Sequence, residues 1–275
     1  MDAVLSTTGR TRRFDPDTQA GPRSAAAALR AAGGVVSAVD HVLDRRLDRA
    51  FCLARPPGHH AEADRAMGFC LFSNVAVGAA HALARGLQRV LVIDFDVHHG
   101  NGTQAIFYDD PRVLYLSSHE FPCYPGTGDL DEIGSGAGRG YTVNLPLPAG
   151  MGDAEYLAAY REIALPVARA FAPELLLVSV GFDPHVDDPL AEMRVTAAGF
   201  AGLTALCLGA AGGAPAVFVL EGGYDLPALR SSAVALTRVL LGEPAPDLSG
   251  MLRPGFERVL ARLRAAHRES WPVLG

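Results

Sequence analysis

The chain has 275 residues, 49% of them hydrophobic, which is enough to bury one large core. Its 30 acidic and 24 basic residues leave a net charge of −6 with no run of like charges, and this argues against a nucleic-acid surface. The cysteines Cys52, Cys70, Cys123 and Cys207 are scattered and form no C-x-x-C pair, so they read as free thiols of a reducing, cytoplasmic setting.

The N-terminal run MDAVLSTTGRTRRFDPD has no apolar h-region, so no signal peptide is expected, and residues 1–14 are expected to be poorly ordered. The pattern then predicts a helix over Ser24–Leu43, a strand over Ala50–Ala54, a helix over Ser73–Ala84, and strands over Val90–Phe95 and Val113–Ser117. Gly134–Gly140 reads as a surface loop, followed by a strand over Thr142–Leu145, a helix over Asp153–Phe171 and a strand over Leu175–Val180. A helix over Thr196–Ala210, a strand over Ala216–Leu220 and helices over Asp225–Leu240 and Gly255–Ala266 complete the chain. Several strands are apolar without alternation, as strands covered on both faces are. The alternation predicts an α/β fold with a mostly parallel sheet flanked by helices, and no linker or repeat divides residues 1–275. Val195–Leu220 carries no charge, but Gly209, Gly212, Gly213 and Pro215 interrupt it, so helix, turn and buried strand are expected there and no membrane span.

The unusual polar residues fall just beyond the strands. His59 and His60 follow the first strand candidate, and Asp94, Asp96, His98 and His99 lie at and beyond the end of the second. Asp183 follows Leu175–Val180, and Tyr224 follows Ala216–Leu220. In parallel α/β sheets these strand ends share one edge, where ligands bind. In an extended segment Asp96 and His98, two apart, face the same way, and Asp94 shares that phase as ligand or support. A carboxylate–imidazole set suits zinc or a similar divalent ion. A lone D-x-H is usually only a satisfied loop, but burying such groups beside an apolar strand calls for a counter-charge. Of Asp183, His185, Asp187 and Asp188, Asp183 is nearest its strand end and is the third-ligand candidate. The others read as loop residues, with Asp188-Pro189 holding a turn.

In R-P-P-G-H-H-A both imidazoles can reach one pocket, and an imidazole titrating near pH ~6.5 suits proton transfer. A metal lowers the pKa of bound water towards about 7, within reach of such a base. In E-G-G-Y-D the glycines Gly222 and Gly223 let the backbone approach a ligand, and the Tyr224 hydroxyl can donate to a developing oxyanion.

The ordered set RPPGHHA, GFCLFSN, DFDVHHGNGT, YPGTG, GFDPHVDDPL and LEGGYD resembles the zinc-dependent histone deacetylase family over about Asp15 to Leu241. It is most similar to the class II-like bacterial branch, which includes deacetylase-like amidohydrolases and acetylpolyamine amidohydrolases. A bacterial source also fits the composition, since all basic residues are arginine and Ala and Gly abound. The resemblance implies a three-layer arginase/deacetylase-like fold, and Zn2+, with Fe2+ as the alternative, on Asp96, His98 and Asp183. It implies His60 as general base and then acid, His59 as electrostatic support oriented by Asp94, and Tyr224 polarising the carbonyl. Phe69 and Tyr124 match the walls of an acyl-lysine tunnel, with Gly68, Gly222, Leu190 and the rim residue Asp17 as further substrate contacts. A structural K+ would draw on Asp94, Asp96, His98, Ser117 and Ser118, partly through main-chain carbonyls.

Several positions depart from the family pattern. Asn101 stands where much of the family has an aspartate partner for the second histidine, which should leave His60 less basic. Leu190 stands where polyamine-specific relatives carry an acidic gatekeeper, favouring an uncharged acyl-lysine-like substrate. Tyr124 replaces the commoner phenylalanine. Relatives normally carry a longer segment ahead of Asp15–Ala32, with an early strand and a His-Pro-Glu-Arg-Pro loop. Its loss would expose a sheet edge, open the site mouth or call for a partner subunit, so a homo-oligomer is left open. The expected activity is hydrolysis of acetyl-lysine or a small acetylated amine. Acetylpolyamine hydrolysis and a non-catalytic acyl-binding module are the alternatives.

Overall fold

Six segments, all but the first (Arg49–Cys52, R-A-F-C) rich in leucine and β-branched residues, form six parallel strands, and the computed structural model describes residues 1–248 and 250–275. In chain order the elements are α1 (Asp2–Leu5), a two-stranded ribbon of β1 (Arg12–Arg13) and β2 (Gln19–Ala20), α2 (Ser24–Leu43), β3 (Arg49–Cys52), α3 (Asn74–Ala84) and β4 (Val90–Asp94). Next come α4 (Asn101–Ile106), β5 (Val113–Glu120), β6 (Thr142–Leu147), α5 (Asp153–Ala159), α6 (Leu165–Phe171) and β7 (Leu175–Val180). The chain then runs through α7 (Ala197–Ala210), β8 (Ala216–Leu220), α8 (Leu226–Leu240) and α9 (Phe256–His267).

The sheet order is β3-β8-β7-β4-β5-β6. Val35, Val39 and Val42 of α2 and Val75 and Ala79 of α3 pack on one face against Val92, Leu177 and Val217. On the other face Tyr156, Tyr160, Phe200, Leu236 and Leu260 pack against Ile93, Leu116, Val178 and Phe218. Every residue of β4, β7 and β8 is therefore buried, which explains their unbroken apolar runs. Among the described residues α2 alone has the length and apolarity of a membrane span, and its valines pack on the sheet. Val195–Leu220 folds as α7, a glycine turn and the buried strand β8.

Two elements differ from the sequence-based expectation. The helix expected over Asp153–Phe171 is broken by a wide π turn at Tyr160–Ala164. Pro166, which has no N–H to give the carbonyl of Glu162, follows directly on this turn, whose wide bond runs from Leu165 N–H to the Tyr160 carbonyl. Residues 1–14, expected to be poorly ordered, instead hold α1 and β1, because Val4 finds an apolar cluster with Ala20, Ala25, Ala28, Ala66 and Leu71.

Adjacent strands align Asp94 with Ser117 on one side and Ser179 on the other, so their carboxyl ends form one rim. The edge strand β3 borders an open surface hollow of about 1040 Å³ with Arg23, Arg30 and Arg55, and none of the candidate residues lies there. Leu177 sits at the centre of the sheet with no exposed surface. Leu177→Ala is expected to cost about 2–5 kcal/mol, read as a lower denaturant midpoint at unchanged slope.

Candidate metal centre and active site

Asp96 and His98 lie on the segment leaving β4, and Asp183 lies on the segment leaving β7. The three bring one ligand atom each to within 4.8 Å of one another. Nδ1 of His98 is 3.1 Å from Oδ1 of Asp96 and 3.2 Å from Oδ2 of Asp183. Ligand atoms around a tetrahedral ion with bonds of about 2.0–2.2 Å stand about 3.3 Å apart, so this spacing fits such an ion. Both carboxylates are buried, and burial together with the charge of Asp96 pushes the carboxyl of Asp183 above the usual carboxylate range. A divalent cation resolves that repulsion in place of a proton. The other oxygens are taken by backbone: Gly222 N–H donates to Oδ2 of Asp96 (2.9 Å), and Val97 N–H to Oδ1 of Asp183 (2.9 Å).

The tandem histidines sit in unlike surroundings. His59 donates from Nδ1 to Asp94 (3.0 Å), and its Nε2 lies 3.8 Å from Asp96. Burial opposes its charge, but Asp96 and Asp94 together outweigh that and push its pKa up to about 10. His60 donates from Nδ1 to Oδ1 of Asn101 (2.9 Å). Burial first, then the neighbouring charge of His59, holds its pKa well below the usual imidazole value. The two surroundings thus push the histidines in opposite directions, His59 towards the charged form and His60 towards the neutral one.

Pro57, His59, His60, Gly68, Phe69, His98, Tyr124, Leu190, Gly222, Tyr224 and Asp17 surround a cavity of about 220 Å³. Phe69 meets Tyr224 edge-on with ring centres 6.0 Å apart, and Tyr124 meets His60 likewise at 5.1 Å. Burial pushes the Tyr224 phenol far up, so it keeps its proton and can donate. Gly68 has φ +55°, and a Cβ there would strike the His60 ring, while a Cβ at Gly222 would strike Asp183. All the metal, catalytic and substrate candidates named above therefore meet at one place. Of the K+ candidates, Asp94 accepts from His59, Tyr115 and Asp96 N–H, whereas the hydroxyls of Ser117 and Ser118 pair with His119 and Tyr160.

Other residues help to build the site in ways that the sequence did not reveal. Glu221 is buried, accepts from Gly58 N–H (2.6 Å), His59 N–H (3.2 Å) and the Ser179 hydroxyl (3.0 Å), and so ties the histidine loop to β7. An acid directly after a buried strand was the available signal. Asp188 holds its turn through Leu190 N–H, as expected, but its other oxygen accepts from Tyr224 N–H (2.7 Å) and so places the tyrosine. Thr18 accepts from Phe69 N–H (3.0 Å) and fixes that wall, whose φ is +67°.

A family model described as "Histone deacetylase domain" matches residues 2–240, which extends ahead of Asp15. The chain is 44% identical over 269 residues to "Histone deacetylase 15" of Arabidopsis thaliana, covering 95% of this chain and 48% of that protein. It is 46% identical over 253 residues to "Polyamine deacetylase HDAC10" of Homo sapiens (89% and 38%), and 41% identical over 247 residues to "Probable deacetylase" of Archaeoglobus fulgidus (88% and 67%). The crystal structure of the HDA15 HD domain superimposes with a TM-score of 0.93 at 41% identity, covering 99% of this chain and 76% of that one. The chain spans less than half the length of the plant and human relatives.

Asp183→Asn leaves the side-chain shape and the Val97 contact but removes one ligand charge. Protein purified from zinc-supplemented medium is expected to carry far less than one metal per chain by elemental analysis, with an unchanged circular dichroism spectrum. Full metal occupancy would rule out this ligand.

Proposed function

Because this chain belongs to the histone deacetylase family, we propose that it hydrolyses N-acyl amides, releasing a carboxylic acid and a free amine, with acetyl-lysine or a small acetylated amine as substrate. The observation that carries this reading is the convergence of the His60 imidazole, the Tyr224 phenol and the candidate metal triad on one small cavity.

Asp96, His98 and Asp183 would hold a zinc ion, or ferrous iron in its place, and such an ion would supply Lewis-acid polarisation of the scissile carbonyl. His60 takes the proton of the attacking water at Nε2 and returns it to the leaving nitrogen. Tyr224 donates its hydroxyl to the carbonyl oxygen as negative charge grows there. His59, favoured in its charged form by Asp96 and Asp94, would lower the energy of the same anion. Phe69 and Tyr124 flank the acyl chain, with Gly68 and Gly222 close enough for backbone contact and Asp17 and Leu190 at the mouth. A structural K+ near Asp94, Asp96, His98, Ser117 and Ser118 belongs to this proposal through main-chain carbonyls, since both serine hydroxyls are engaged. A reducing cytoplasm is supported by four free cysteines.

One relative named for polyamine deacetylation favours an acetylated polyamine as a second reading. The apolar Leu190 at the mouth, 48% exposed, favours the uncharged acyl-lysine chain instead. Rates on an acetyl-lysine peptide and on acetylspermidine, measured side by side on zinc-loaded protein, decide between them. Zinc-loaded protein inert on both would point to a binding module.

Tyr224→Phe is expected to lower kcat about 10²- to 10³-fold with metal content unchanged; undiminished turnover would sink the oxyanion role. The depressed pKa of His60 keeps it unprotonated as pH falls below 6.5, so the acid limb of kcat/KM should lie below that value. Asn101→Asp supplies an anion that favours the imidazolium and should move the limb to higher pH by about 1–3 units.

A further inference from the structure

The side chain of Asn101 offers an oxygen on one side and an NH2 group on the other, and the proton on His60 follows from which one faces it. The oxygen lies 2.9 Å from Nδ1 of His60. The nitrogen lies 2.8 Å from Oε1 of Glu62 and 3.4 Å from the sulfur of Met67. A carboxylate and a thioether have no proton to give, so both can only accept. Reversing the amide would press its oxygen against the Glu62 carboxylate and forfeit both contacts. With the oxygen turned to His60, Nδ1 must carry the ring proton and Nε2 keeps its lone pair.

An aspartate partner would need no such help, because either of its oxygens accepts from Nδ1. A neutral amide can present the wrong end, and a second group must choose for it. Glu62 is itself held, since the Arg65 guanidinium donates to the same Oε1 (2.7 Å) and Glu62 N–H donates to the Arg65 carbonyl (2.9 Å). Its side chain is 24% exposed, so it stands outside the cavity.

We propose that Glu62 is a positioning residue for His60, acting through Asn101: it fixes the direction of the amide and thereby the Nδ1–H tautomer that leaves Nε2 free to accept the proton of water. The catalytic half of this statement rests on the deacetylase reading above, whereas the tautomer half stands without it.

Glu62→Gln keeps the shape but can donate as well as accept, so the amide loses its preferred direction. On zinc-loaded protein kcat should fall about 10- to 100-fold, with KM and zinc content unchanged. Nitrogen-15 spectra of labelled histidine should show a second tautomer at His60. Glu62→Met, which offers neither strong acceptor nor donor, should behave alike, so misfolding of one variant leaves the other as the test. In an Asn101→Asp background the same Glu62→Gln change should no longer lower kcat, because a carboxylate at position 101 needs no orienting and is relieved of a neighbouring like charge. Equal losses in both backgrounds, or a single Nδ1–H tautomer in Glu62→Gln at wild-type kcat, would overturn the proposal. Wild-type protein inactive on acyl substrates would defeat the deacetylase reading while the spectra still decide the role of Glu62.

Discussion

Two carboxylates with no exposure to water, Asp96 and Asp183, converge on a single imidazole. Buried like charges at that range cost several kcal/mol unless a cation and hydrogen bonds compensate them. The fold meets that demand by cross-bracing. Asp96, from the segment after β4, takes its backbone donor from Gly222 after β8. Asp183, from the segment after β7, takes its donor from Val97 after β4. Three strand ends are thereby locked to one another by the groups that hold the metal, and the glycine at position 222 is what lets them close up.

The same negative charge separates two chemically identical neighbours. His59 faces Asp94 and Asp96 and becomes a cation, and that cation then discourages a second proton on His60. An amide in place of a carboxylate beside His60 pushes in the same direction. Acid and base character are set here by what each ring touches, since residue type and position in the chain are shared.

Most of the fold was legible because the buried strands advertise themselves as unbroken apolar runs and the helices as alanine- and leucine-rich stretches. The bounds of α2 and of β7 and β8 agree with the pattern to the residue. The π turn was missed because the apolar pattern runs on through Asp153–Phe171, although Pro166 inside that span was the available signal of a break. The candidate metal and proton-transfer residues could be picked out because each sits near a strand end, and the fold brings them together. Glu221 carried the same strand-end signal and was overlooked, whereas the roles of Asp188 and Glu62 depend on partners from distant segments: Asp188 bonds Tyr224 across 36 positions and Glu62 bonds Asn101 across 39. In the sequence each is one acid among 30, and only the folded chain shows which are inside.

The reaction centre and its mouth are built from different material. The metal ligands inherit their spacing from paired strands, where Asp94 is aligned with Ser179. Phe69, Tyr124 and Leu190, by contrast, stand on three separate irregular segments and are 39% to 48% exposed. Such a division makes the molecule modular: the mouth segments can be exchanged or lengthened while the strand ends beneath them keep their spacing. It also tells the protein engineer where diversity is tolerated, in the rim loops rather than on the strand ends beneath them.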